Sequence, residues 1–339
     1  MAHSVFASRS LPKRLAGWIS EARRTGILSG VFLGRPLWAQ LNITDKCNLN
    51  CGYCTEHDEK GRHVPYDEVV AWVDHAHKLG IRHLQFIGGE PLMHPQFLDL
   101  VRETHRRQIS LGLTTNGFLL RHYDIQELTR LGLNRIQVSI DALKPNAITT
   151  KALSLVRPVL ENLQRHPIWL RVNTVVTAAG AQECRELGTE LFQMGIPTAF
   201  SPVHTAGQLT REDPLIFLEF FEWVRQQKQA GQPVDMPAFL IRHYQAWYAG
   251  EPIPPWSCEG GNRAFYVDSQ GGFRYCTHTP THGPFLDKKA KDLRACKGIK
   301  GCEGNCGIQC MLLTSLPLQQ PGLVLRQDVL PALGFRGSA

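Results

Sequence analysis

The chain has 339 residues, 43% hydrophobic and 20% charged, enough to bury a substantial core and to divide into about two domains. These proportions exclude a disordered chain. The apolar stretch 27–41 is interrupted by Arg35 and is too short to span a bilayer. The net charge of +7 comes from scattered lysines and arginines, so no nucleic-acid-binding face is expected. Ten cysteines without the apolar core and cleavage site of a secretory signal point to metal or redox use in a reducing cytoplasm.

Residues 1–36 form a basic lead-in. Leu11, Leu15, Trp18 and Ile19 share one helical face among Lys13, Arg14, Arg23 and Arg24. This predicts an amphipathic helix that packs on the main domain or meets a membrane surface. Strand and helix patterns then alternate over 37–204. Strands are expected at 37–43, 83–87, 110–114, 135–140, 169–176 and 197–203. Helices are expected at 66–79, 95–108, 122–131, 149–166 and 182–194, with Pro158 kinking the fourth. Such repeats imply a parallel sheet with right-handed crossovers, so the expected fold is α/β, a partial (β/α)6 TIM-like barrel. Its chemistry belongs at the C-terminal strand ends.

Residues 205–255 read as a connector with one helix over 215–228, closed by the proline-rich 252–255. A hairpin signal at 264–276 turns at Ser269-Gln270-Gly271 and opens a small cysteine-rich domain at 256–314. The tail, 315–339, reads as a cover. Cys184 falls alone in a helix and reads as a buried, reduced residue.

Cys47, Cys51 and Cys54 follow the first strand at C-x3-C-x2-C spacing. Three thiolates so close can hold a metal centre with one position open, and His57 would complete a Cys3His zinc site. Gly88-Gly89-Glu90-Pro91 ends the second strand, Asn116 the third, and Ser139 with Asp141 the fourth, while Asn173 lies in the fifth. The cysteine loop with Tyr53 before its third cysteine, the GGEP stretch and these strand-end residues together resemble the radical S-adenosylmethionine (radical SAM) enzymes over roughly 37–204. The resemblance implies a [4Fe–4S] cluster on Cys47, Cys51 and Cys54, and S-adenosylmethionine on its open iron. Tyr53, Gly88, Gly89, Glu90, Pro91, Asn116, Ser139, Asp141 and Asn173 would bind that cosubstrate, and His57 drops out as a ligand.

Cys258, Cys276, Cys296, Cys302, Cys306 and Cys310 form the second group. Gly271-x4-Cys276 and the C-x5-C-x3-C run resemble the SPASM/twitch extension that carries auxiliary iron–sulfur clusters, with a zinc ribbon as the alternative. The family pattern has a cysteine where this chain has Leu293. Six thiolates allow one full cubane cluster or two with three thiolates each. Motif position groups Cys258, Cys276 and Cys306, and separately Cys296, Cys302 and Cys310.

The resemblance implies reductive cleavage of S-adenosylmethionine to a 5′-deoxyadenosyl radical that abstracts hydrogen, fed by a one-electron donor such as a flavodoxin or ferredoxin. A peptide or protein side chain is the first substrate reading. A small metabolite, sugar, tetrapyrrole or lipid is the alternative, and a non-catalytic iron–sulfur or zinc module the remote one. His204, at the end of the last strand, is a candidate acid/base.

Overall fold

A computed structural model describes residues 34–54 and 61–329. The expected N-terminal helix and His57 lie outside them. Six strands follow in order: β1 (Trp38–Thr44), β2 (His83–Gly88), β3 (Ser110–Thr115), β4 (Leu133–Ser139), β5 (Trp169–Val176) and β6 (Thr198–Pro202). Helices α1 (Tyr66–Lys78), α2 (Phe97–Arg106), α3 (Ile125–Arg130), α4 (Leu153–Leu163) and α5 (Ala181–Gln193) alternate with them. Each strand pairs in parallel with the next, the arrangement of a partial TIM-like barrel.

Local patterning explains the layers. In β5, Leu170, Val172, Thr174 and Val176 are buried and alternate with more accessible residues, so one strand face meets the helices. On α1, Val69, Trp72, Val73 and Ala76 repeat at helical spacing and close over the sheet. Helix α4 runs unbroken through Pro158, which lacks the N–H that would bond the Ser154 carbonyl, and it begins later than the sequence pattern suggests.

The second half is more closely joined to the barrel than its composition suggests. Helices α6 (Pro214–Gln229) and α7 (Ala238–Ala249) form an antiparallel cover, with Phe217 stacked on Tyr248 at 4.6 Å. The hairpin is present as β7 (Ala264–Val267) and β8 (Phe273–Arg274), but β7 pairs in parallel with β1. One sheet therefore runs β6-β5-β4-β3-β2-β1-β7-β8 and crosses the expected domain boundary. Short helix α8 (Ala290–Ala295) and helix α9 (Gln309–Gln319) follow. Leu293, at the position where the SPASM/twitch resemblance expects a cysteine, is buried in the core. Among the described residues no helix is long and apolar enough to cross a membrane.

Candidate active site

The ends of β1 to β5 assemble one site. The β1–β2 register shifts between Asn42 and Thr44. Asn42 stabilises this bulge by accepting from the Thr44 amide at 3.1 Å and donating to Asp45 and to Tyr266, each at 3.1 Å. A bulge re-aims the chain, and here it launches the cysteine loop. The loop root is sealed by the Gly89 amide donating to the Thr44 carbonyl and the Glu90 amide to the Lys46 carbonyl, both at 2.8 Å. A Cβ on Gly88 would stand 2.1 Å from the Thr44 oxygen, and one on Gly89 2.3 Å from the Lys46 oxygen. The close approach made by these glycines is to the backbone beneath the thiols.

The thiols sit among donors. The Leu49 amide points at the Cys47 sulfur at 3.4 Å, and the Asn116 amide nitrogen lies 3.8 Å from it. That nitrogen also donates to Asn48 at 2.8 Å. Cys51 is buried, its sulfur 3.5 Å from the Thr149 hydroxyl, while Cys47 and Cys54 are half-buried. Burial holds the Cys47 thiol above its ordinary range, opposed by the Leu49 amide; Glu90 adds to the rise and Lys151 counters it.

Glu90 is fully buried. Its carboxylate accepts from the Thr115 hydroxyl and the Asn116 amide at 2.8 Å, and from the Leu92 amide at 3.1 Å, tying β2 to β3. Burial outweighs these donors and pushes its pKa up from 4.5 to about 7. A carboxyl that holds its proton more tightly when folded makes stability fall as pH rises between about 4.5 and 7. Glu90→Gln is expected to flatten that segment of a Tm-versus-pH profile, measured by calorimetry. An unchanged slope would show that other groups produce it. Pro91 starts a single buried turn behind Glu90.

Asp141, also buried, accepts from the Val175 amide at 2.7 Å and from the Tyr53 hydroxyl, and lies 3.9 Å from the Lys151 ammonium. Burial raises both Asp141 and Tyr53, and the adjacent carboxylate raises Tyr53 further. The Lys151 nitrogen sits 5.2 Å from the centroid of the Tyr53 ring. Lys151 was invisible to sequence reasoning because it falls in a segment read as helix, where a lone lysine reads as solvated. Ser139 and Asn173 are register partners across β4 and β5, and Asn173 accepts from the Ser201 hydroxyl at 3.0 Å. His204 packs edge-on against His278 at 4.8 Å and accepts from the Gly207 amide at 3.3 Å. Burial lowers its pKa. It lies at the joint between the barrel and the C-terminal segment.

That segment surrounds a cavity of about 530 Å³, lined by Cys258, Cys276, Cys296, Cys302 and Cys306. Cys306 is within electrostatic reach of Cys258, Cys302 and Cys276. Cys258 and Cys302 each sense Cys276, and Cys310 senses Cys276 and Cys258. Cys296 instead meets Tyr275, Lys300, Lys288 and Asp292. Cys302 thus falls with Cys258, Cys276 and Cys306, unlike the grouping by motif position, while Cys296 lines the same cavity beside Tyr275 and Lys300. Burial pushes Cys258 up to about 11 and Cys310 to about 12. Cys184 is buried in α5 and is likewise pushed to about 12 by burial.

Both donor sets fit iron–sulfur clusters. Thiols flanked by amide donors and a cation suit anionic thiolates, and cubane corners take ligands that stand apart on different irons. Among the described residues, no three His, Cys, Asp or Glu converge as a single-ion site.

Residues 41–197 match the family model described as the Radical SAM superfamily. The chain carries a radical SAM domain. Members of this superfamily are enzymes that pair a [4Fe–4S] cluster with S-adenosylmethionine, and these are the cofactors of this domain. A tungsten-containing aldehyde ferredoxin oxidoreductase cofactor-modifying protein of Pyrococcus furiosus is 32% identical over 173 residues, 46% of this chain and 48% of that protein. A GTP 3′,8-cyclase of Clostridium perfringens is 31% identical over 159 residues, 42% of this chain and 48% of the cyclase. The chain thus spans about half the length of the curated relatives it matches. In fold it is similar to anSMEcpe with bound AdoMet, at a TM-score of 0.61 and 16% identity, covering 88% of this chain and 98% of that one. Streptococcus suis SuiB bound to its precursor peptide SuiA gives a TM-score of 0.58 and 13% identity, covering 86% of this chain and 73% of SuiB.

Proposed function

We propose that this radical SAM protein modifies a peptide or protein side chain by hydrogen abstraction. The observation that carries the radical step is the assembly of Cys47, Cys51 and Cys54 beside Gly88–Glu90, Asn116 and Lys151 at the strand ends. Cys47, Cys51 and Cys54 would hold the initiating cluster. When bound, that cluster supplies the electron that cleaves S-adenosylmethionine, giving methionine and, with a hydrogen atom from substrate, 5′-deoxyadenosine. Glu90 offers a buried carboxylate that an ammonium group would ionise and pair. Asn116 braces the loop through Asn48, and the Tyr53–Asp141 bond fixes its far side. Ser139 and Asn173 supply polar groups on neighbouring strands for the cosubstrate's carboxylate and ribose.

The peptide reading is supported by fold likeness that extends beyond the barrel to proteins solved with peptides bound, SuiB with SuiA and anSMEcpe with the Kp18Cys peptide. Small-molecule chemistry is the second reading, favoured by the GTP 3′,8-cyclase relatives, whose similarity covers 42% of the chain. Cys258, Cys276, Cys302 and Cys306 would hold one auxiliary cluster, and a flavodoxin- or ferredoxin-type protein would deliver electrons. Anaerobic reconstitution with iron and sulfide, then dithionite and S-adenosylmethionine, is expected to yield 5′-deoxyadenosine by mass spectrometry. Iron-loaded protein that makes none would refute the enzymatic reading. Deuterium passing from a labelled peptide into 5′-deoxyadenosine would separate the two substrate readings.

A further inference from the structure

The loop after β4 folds back onto the cysteine loop. The Gly52 amide donates to the Ile148 carbonyl at 3.1 Å, the Cys51 sulfur meets the Thr149 hydroxyl at 3.5 Å, and the Asp141 amide donates to the Lys151 carbonyl at 2.8 Å. These contacts deliver the Lys151 side chain, only 18% exposed, to the thiols. Its carboxylate partner, Asp141, lies 3.9 Å away and also accepts from the Tyr53 hydroxyl. Asp141 is anchored by the Val175 amide, and its carbonyl faces the Cys184 sulfur in the opposite wall. The ammonium senses Cys51, Cys54 and Cys47 as well as Asp141, and Cys47 in turn senses Lys151 and Glu90. Both members of the ion pair therefore meet the cysteine loop, the ammonium over the Tyr53 ring and the carboxylate at the Tyr53 hydroxyl. Glu90 opposes Lys151 at Cys47, and Tyr53 of the loop touches both members of the pair.

We infer that Lys151 is a positioning residue that sets the reduction potential of the centre held by Cys47, Cys51 and Cys54, with Asp141 restraining its field. The inference rests on the cluster assignment proposed above. Adding one electron makes such a centre more negative, and a fixed cation in a partly buried site favours the reduced form. Removing the cation shifts the potential downward, and removing its counter-charge shifts it upward.

The test is a potentiometric titration with dithionite on reconstituted full-length protein, without S-adenosylmethionine. It follows the electron paramagnetic resonance signal that is lost in Cys51→Ala. Lys151→Met is expected to lower the reduced-to-oxidised ratio at fixed potential about tenfold, a 59 mV shift for one electron. Lys151→Arg is expected to keep the wild-type value, and Asp141→Asn to move it the other way. A loaded Lys151→Met protein with the wild-type potential would overturn the inference. If Lys151→Met does not load iron, Asp141→Asn decides: an upward shift supports the inference, and an unchanged or lower potential overturns it. Absence of any Cys51-dependent signal in the wild type would instead overturn the cluster assignment.

Discussion

Replacing Cys51 with Ala is expected to drop 5′-deoxyadenosine formation to background and to remove about four irons per chain, the content of one cubane cluster. Cys51 is the middle residue of the three and only 5% exposed, and its carbonyl accepts the Cys54 amide at 3.0 Å, a bond that Ala preserves. The substitution removes one buried sulfur from a loop outside the barrel core of α1, β1 and β2, so that core stays intact and the variant remains folded. What disappears is the third thiolate, leaving too few ligands to hold the cluster. Cys184→Ala is the matched control. That residue is more deeply buried, at 1% exposed, and packs in α5, so its loss affects stability while product formation continues. Mass spectrometry of the product alongside iron analysis separates the two outcomes. Product formation by Cys51→Ala at the wild-type rate would show that the loop is not where the reaction starts.

The barrel was legible because its signals are local. Alternation along Trp169–Val176 and the helical repeat of Val69, Trp72, Val73 and Ala76 each lie within one element. The cysteine spacing and Gly88-Gly89 are also contiguous, so the candidate site is a local signal too. What escaped is non-local. Helix α7 buries Phe239, Leu240, Ile241, His243, Tyr244, Trp247 and Tyr248 around most of its circumference, which erases the one-sided period that announces a surface helix. The hairpin turn at Ser269–Gly271 was readable, but the pairing of β7 with β1 joins residues more than 200 apart and leaves no mark in either stretch. Lys151 escaped for the same reason: its partners Asp141, Tyr53 and the cysteines are brought to it by the fold.

The C-terminal cysteines make the sharpest case, because motif position and folded position disagree. Counting along C-x5-C-x3-C separates Cys302 from Cys306, yet they flank a single turn, Glu303–Asn305, and Cys306 senses Cys302 along with Cys258 and Cys276. Five cysteines line the one cavity, and four of them, Cys258, Cys276, Cys302 and Cys306, would make a complete ligand set for one cubane. Cys296 sits at the end of α8, its sulfur 3.2 Å from the Asp292 carbonyl and its surroundings set by Tyr275 and Lys300. Reconstituted wild-type protein is therefore expected to hold about eight irons, four at each centre. Cys302→Ala is expected to lower this to about four while the signal that depends on Cys51 persists, and Cys296→Ala to leave it near eight. Iron analysis with paramagnetic resonance of the reduced proteins reads both. Equal iron loss in Cys296→Ala and Cys302→Ala would restore the grouping by motif position, and with it a second auxiliary centre built on Cys296, Cys302 and Cys310.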